Sequence, residues 1–148
     1  MQLVDLTGLE NVKAVSIVSI TYNDRLASLQ GLAGLIAVDF VGLAQNPLLQ
    51  DLTGLEGVKT LGYGLDVYDN DGLRSLHGLE NLTGVPDFRL RENSRLMSLA
   101  ALSSFMQLTS FDAENNPLLP ACEVSALFAR ANGMLLYNTG NNQAAICP

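Results

Sequence analysis

The chain has 148 residues, enough for one domain with a sizeable core, and its formal charge of −7, from 15 acidic against 8 basic side chains, leaves no basic stripe for a phosphate backbone, so nucleic acid is excluded as an expected partner. Hydrophobic residues make up 48 % of the chain but aromatic ones only 6 %, with no tryptophan, which suits a core of leucine and valine. No apolar run approaches the roughly 20 residues that a membrane span needs.

Five asparagines, Asn23, Asn46, Asn70, Asn93 and Asn116, recur at separations of 23, 24, 23 and 23, and each is followed three positions later by a leucine. A period of this size marks a solenoid, in which each unit buries its apolar side against the next. The repeats run over 3–25, 26–48, 49–72, 73–95 and 96–118, with a cap over 119–148, and together they form a single domain. In the first, Leu3, Leu6, Leu9, Val12, Val15, Val18 and Ile20 precede Asn23; in the second, Leu26, Leu29, Leu32, Leu35, Val38, Val41 and Leu43 precede Asn46. The third carries one extra residue around 62–64, which accounts for the single separation of 24.

Apolar positions thus recur every three residues and then every two before the asparagine. The two-residue step predicts a strand. The three-residue steps do not fit a long α-helix and predict short turns or 3₁₀ segments. Gly8, Gly31, Gly54 and Gly78 before the third leucine predict tight bends with positive φ, with Ala101 as the departure in the fifth repeat. The asparagines are expected to form a structural ladder, each amide bonding backbone groups of adjoining rungs.

After the fifth repeat, Val124, Leu127, Phe128 and Ala131 share one helical face over 122–132, with Gly133 placed to end the helix, so a helical lid is expected on the last rung. A last strand is expected over 134–137, and a polar turn over 138–142.

The segments Asp51-Leu52-Thr53-Gly54-Leu55-Glu56-Gly57-Val58, Leu65-Asp66-Val67-Tyr68-Asp69-Asn70 and Leu76-His77-Gly78-Leu79-Glu80-Asn81-Leu82-Thr83 make the chain similar to the receptor L-domain group of leucine-rich-repeat-like proteins, bacterial surface type. The resemblance covers residues 3–148 and includes the ending Asn116-Pro117-Leu118-Leu119-Pro120-Ala121-Cys122-Glu123 with Cys147. It implies a right-handed parallel β-helix of about five coils, secreted or displayed at the cell surface, that binds and does not catalyse. A leucine-rich-repeat horseshoe is the alternative, since Val15, Val18, Ile20 and Asn23 also fit its strand pattern. Cys122 and Cys147 bracket the lid: a disulfide between them closes a loop of about 25 residues and contributes on the order of 3 kcal/mol, and two buried thiols are the alternative.

Binding residues are sought on the outward side of the strands. Ile17 and Phe40 are expected to form an apolar strip beside small residues, with Tyr22 and Tyr63 at its border and Tyr68 as a further aromatic anchor. Asp66, Arg89 and Asp112 are expected to stack as a ladder of alternating charge, with Arg91 against Glu114. No catalytic residues, metal site or cofactor are expected: His77 is alone in a turn column, and no acid pair has the spacing for glycoside hydrolysis. The expected function is recognition or adhesion, with a protein or a glycan as partner; a purely structural spacer, or a fragment of a larger surface protein, is the alternative. The first rung begins without a capping segment and is expected to be an edge open to association with another copy or with preceding repeats.

Overall fold

The structure, a computed structural model, describes residues 3–131, 134–137 and 140–141. Among these, six strands form one parallel sheet in chain order, with a single α-helix near the C-terminus. They are β1 (Ala14–Thr21), β2 (Ala37–Ala44), β3 (Leu61–Tyr68), β4 (Gly84–Arg91), β5 (Gln107–Glu114) and β6 (Met134–Tyr137); the helix, α1, is Ala121–Ala131. Each strand pairs with the next, so the chain is a parallel β-solenoid.

The three-residue spacing has a direct cause in the backbone. Leu9 N–H donates to Leu6 C=O and Val12 N–H to Leu9 C=O, and the same successive turns link Leu52, Leu55 and Val58, Leu76, Leu79 and Leu82, and Leu99, Leu102 and Phe105. A turn closed every three residues returns each apolar side chain to the same inner side. The leucine three positions after each asparagine arises likewise, since Leu26, Leu49, Leu73, Leu96 and Leu119 donate to the carbonyls of Asn23, Asn46, Asn70, Asn93 and Asn116.

Two turn forms fill the place where all four glycines predicted positive φ. Gly8, Gly54 and Gly78 have φ of 100°, 118° and 104°, and their N–H groups donate to the carboxylates of Glu10, Glu56 and Glu80 two residues on. Gly31 does not follow them. It lies in a 3₁₀ turn, Gln30–Leu32, as Ala101 does in Ala100–Leu102. The repeats with 3₁₀ turns carry Ala33 and Ser103 where the others carry glutamate, so no carboxylate is there to hold the left-handed form. Gly31 is glycine for space: a Cβ there would stand 2.1 Å from Leu6 O.

The extra residue of the third repeat is a β-bulge. The β2–β3 register shifts between Val38↔Leu61 and Phe40↔Gly64, and on the other side Thr60 faces Gly84 while Gly64 faces Asp87. Pro86, which has no N–H to give a ladder, falls inside this interruption.

Leucine, valine and three phenylalanines fill the interior; the Phe88 and Phe111 rings stack at 4.9 Å, and Phe105 lies 6.2 Å from Phe88. The asparagines line up beside this core as expected. Asn46, Asn70, Asn93 and Asn116 are fully buried, and each side-chain amide donates to a strand carbonyl of the preceding rung: Ile20, Leu43, Val67 and Leu90 respectively. Each side-chain oxygen accepts the N–H of the preceding asparagine, as Asn70 Oδ1 does from Asn46. Asn141 continues the column, accepting from Asn116 N–H and donating to Ala113 C=O. The residue lies within the polar turn expected over 138–142, where the 23-residue spacing does not mark it.

The lid forms one residue earlier than expected, at Ala121–Ala131, and buries Ala121, Val124, Leu127 and Ala131. At Leu99 it supplies a hydrogen-bond partner that a following rung supplies at Leu52. Leu52 N–H donates to His77 C=O one rung on, whereas Leu99 N–H, in the last repeat, donates to Glu123 Oε2 at 2.6 Å. Arg130 donates to Leu102 C=O and Phe105 C=O. Gly133 and Cys147 lie outside the described residues, and Cys122 sits half-buried in the first turn of α1.

Candidate functional site

Alternation along the strands sends Val18 and Ile20, and their counterparts, inward and leaves the intervening side chains on one outer sheet face. Strand register then decides which of these meet. Ile17 pairs with Phe40, and Phe40 with Gly64. Ile17 is 64 % exposed, while Phe40 is half-buried because its ring lies against the sheet: a Cβ on Gly42 would come within 3.0 Å of Phe40 Cε1, and one on Gly64 within 3.6 Å of Cδ2. The bulge turns Tyr63 out beside this column, 70 % exposed. Ile17 and Phe40 therefore share the N-terminal half of the face, and Tyr63 is exposed in the bulged start of the next strand.

Tyr22 is equally exposed but sits at the corner after the strand. With Gln45, Asp69, Glu92 and Asn115 it occupies a column of positive φ, 52° to 61°, in the position before each asparagine. The N–H groups of Tyr22, Gln45, Asp69 and Glu92 all donate to the strand end of the next rung, so this conformation is the coil's corner.

Charged residues occupy the C-terminal half. Asp66, Arg89 and Asp112 fall in one register column and Tyr68, Arg91 and Glu114 in the next, as predicted. Their ion pairs differ from the prediction. Arg89 turns along its own strand to Asp87, at 2.7 Å, while Ser110 Oγ donates to the other Asp87 oxygen. Arg91, expected on Glu114, lies between Asp66 at 3.5 Å and Asp112 at 4.0 Å, with its guanidinium carbon 5.7 Å from the centre of the Tyr68 ring. A carboxylate two residues along the same strand faces the same side and is within reach of an arginine, and sequence register alone does not rank it against lateral neighbours.

The Asp66–Arg91–Asp112 group is incompletely satisfied. Asp66 Oδ1, Arg91 Nε and Asp112 Oδ1 are buried without a hydrogen-bond partner; the Nε stands 4.0 Å from Asp112 Oδ2, beyond hydrogen-bond range. Asp112 is only 8 % exposed. Burial pushes its carboxyl above the ordinary range, Glu114 adds to this, and Arg91 and Arg89 pull it back. Nothing in the residue pattern distinguished Asp112 from the other outward acids, because its burial comes from the neighbouring side chains.

Elsewhere, His77 is exposed and bonds Glu80, which raises its pKa. Among the described residues no group of three or more His, Cys, Asp or Glu side chains could hold a metal ion, and no helix is long and apolar enough to cross a membrane. A groove of about 460 Å³ runs across the starts of β3 to β5, lined by Leu61, Val85, Pro86, Met106 and Leu108 among others. In the first coil Leu3, Val4 and Leu9 are 40–49 % exposed, and Leu3 and Leu9 help to line an apolar hollow of about 300 Å³.

No family model matches the chain, and no curated protein or solved structure matches it significantly. Fold and face together define its class as a parallel β-solenoid closed by a C-terminal helix, with an aromatic and acidic outer sheet.

Proposed function

We propose that this protein is a non-enzymatic recognition or adhesion module that engages a protein partner through the outer face of its sheet. The observation that carries the reading is the occurrence of exposed Ile17, half-buried Phe40 and exposed Tyr63 on three adjacent strands. Such a patch on a regular sheet buries apolar area at little conformational cost, because the strands beneath are already ordered. Gly42 and Gly64 leave room for the Phe40 ring against the sheet, so the surface has a shape of its own.

The likeness to receptor L-domains is part of the same proposal and brings with it a secreted or surface location and a Cys122–Cys147 disulfide. Mass spectrometry of the unreduced, alkylated protein tests the pairing: two alkylated thiols would refute it.

The functional test places a photo-cross-linking phenylalanine analogue at Tyr63 in the host cell. A recognition module gives one discrete adduct, which is lost on Phe40→Ala and absent when the probe stands at Arg95, exposed and off the sheet face. A spacer gives no discrete adduct from either position. Homo-association through the first coil is a second reading, supported by its exposed leucines; sedimentation that shows a monomer unaffected by Leu9→Glu rejects it.

A further inference from the structure

We infer that the partner of this face is cationic: a protein segment that presents arginine or lysine side chains to the Asp66–Arg91–Asp112 group. The inference rests on the recognition reading and adds the chemistry of the partner.

The placement of the acids is the first argument. Away from the face, carboxylates build the coil: Asp5 and Asp51 accept the Thr7 and Thr53 N–H groups, Glu10, Glu56 and Glu80 hold glycine N–H groups, and Glu123 caps Leu99. The outward strand positions carry Asp39, Asp66, Asp87, Asp112 and Glu114 against only Arg89 and Arg91. No backbone amide holds Asp66 or Asp112 among the described hydrogen bonds, so their charge is not spent on the fold. A face with that excess attracts and orients a positive partner.

The second argument is the unfinished state of the cluster. One guanidinium is shared by two carboxylates and approaches neither closer than 3.5 Å, and each carboxylate keeps a buried oxygen with no donor. Asp112 pays the desolvation of a charged group without the bidentate pairing that normally offsets it. Those oxygens are closed to solvent, so a partner's cation supplies the donors by taking the place of Arg91 between the two carboxylates. Arg91 over Tyr68 already displays the arrangement: a guanidinium held by acids on both sides against an aromatic ring.

The test uses fluorescent hexa-arginine and hexa-glutamate peptides with the whole chain, titrated at low salt and followed by anisotropy. Hexa-arginine is expected to bind and hexa-glutamate not to. The Asp66→Asn, Asp112→Asn double variant should weaken hexa-arginine by about tenfold or more, while Asp24→Asn with Asp71→Asn, an equal charge change off the face, should change it by less than about twofold. Equal losses in the two double variants would reduce the effect to net charge and overturn the inference, as would preference for hexa-glutamate or no binding of either peptide. Arg91→Met supplies an independent arm that keeps both acids: freeing the slot should tighten hexa-arginine and enlarge the rise in Tm it produces, and weaker or unchanged binding counts against the inference. If the peptide fails while the Tyr63 adduct survives, the partner is not cationic but the recognition reading stands; loss of both ends both.

Discussion

At the scale of single residues, the asparagine column separates what a repeat reveals from what it hides. Asn93 accepts from Asn70 N–H and donates to Val67 C=O on the preceding rung and to Arg91 C=O on its own. Its truncation to alanine strands several buried backbone groups at once, at about 1–3 kcal/mol for each group left unsatisfied. Asn93→Ala is therefore expected to lose about 3 kcal/mol or more in equilibrium urea unfolding, and a loss below about 1 kcal/mol would contradict the ladder. Asp112 gives a second prediction. Its folded pKa is raised, so the native state holds that proton more tightly than the unfolded chain, and native stability falls as pH climbs from the ordinary 3.8 through the raised value. Asp112→Asn removes this slope: its unfolding free energy relative to wild type should improve with rising pH across that window, and parallel curves would exclude the effect. The five evenly spaced asparagines were legible because each obeys the period. Asn141 was not, since α1 intervenes and places it 25 residues after Asn116.

At the scale of elements, the cap works through two side chains as much as through its apolar side. Glu123 takes the place at Leu99 that the backbone of a following rung takes at Leu52, and Arg130 ties the helix to the Leu102 and Phe105 carbonyls. Glu123→Ala leaves Leu99 N–H without its acceptor at the margin of the core, so a loss of about 1–3 kcal/mol is expected in thermal or urea unfolding. Ser125→Ala serves as comparison, because among the described hydrogen bonds its hydroxyl donates to Ala121 C=O within the helix. The helix was readable from its apolar spacing, and so was the strand face. The turn column was half readable. Glycine marks both turn forms, and only the glutamate two residues later distinguishes the left-handed form from the 3₁₀ form of Gly31.

At the scale of the whole molecule, each coil meets only its neighbours, so stability is close to a sum of rung interfaces. Rungs with partners on both sides hold fully buried asparagines, whereas the first coil leaves Leu3, Val4 and Leu9 40–49 % exposed. Native-state hydrogen exchange should follow this order. The amides of Asn46, Asn70 and Asn93 are expected to be slowest, and those of Leu9 and Val12 to exchange through local opening at far lower cost. Uniform protection along the chain would mean a single cooperative unit and contradict the nearest-neighbour account. The same one-dimensional order makes the outer face regular: a substitution on one strand alters a patch two or three strands wide and leaves the rest of the sheet intact.

The period, the strand positions and the inward leucines follow from the sequence by itself, because a repeat that must stack on its own image writes the same solution every 23 residues. Only the tertiary structure decided that Arg89 turns to Asp87, that Arg91 stands between Asp66 and Asp112, and that Phe40 lies flat on two glycines. The physical reason is that stacking constrains inward side chains through volume and hydrogen bonding shared by every rung. Outward ones answer to whichever unlike neighbours the adjoining strands bring, and there the repeat no longer repeats.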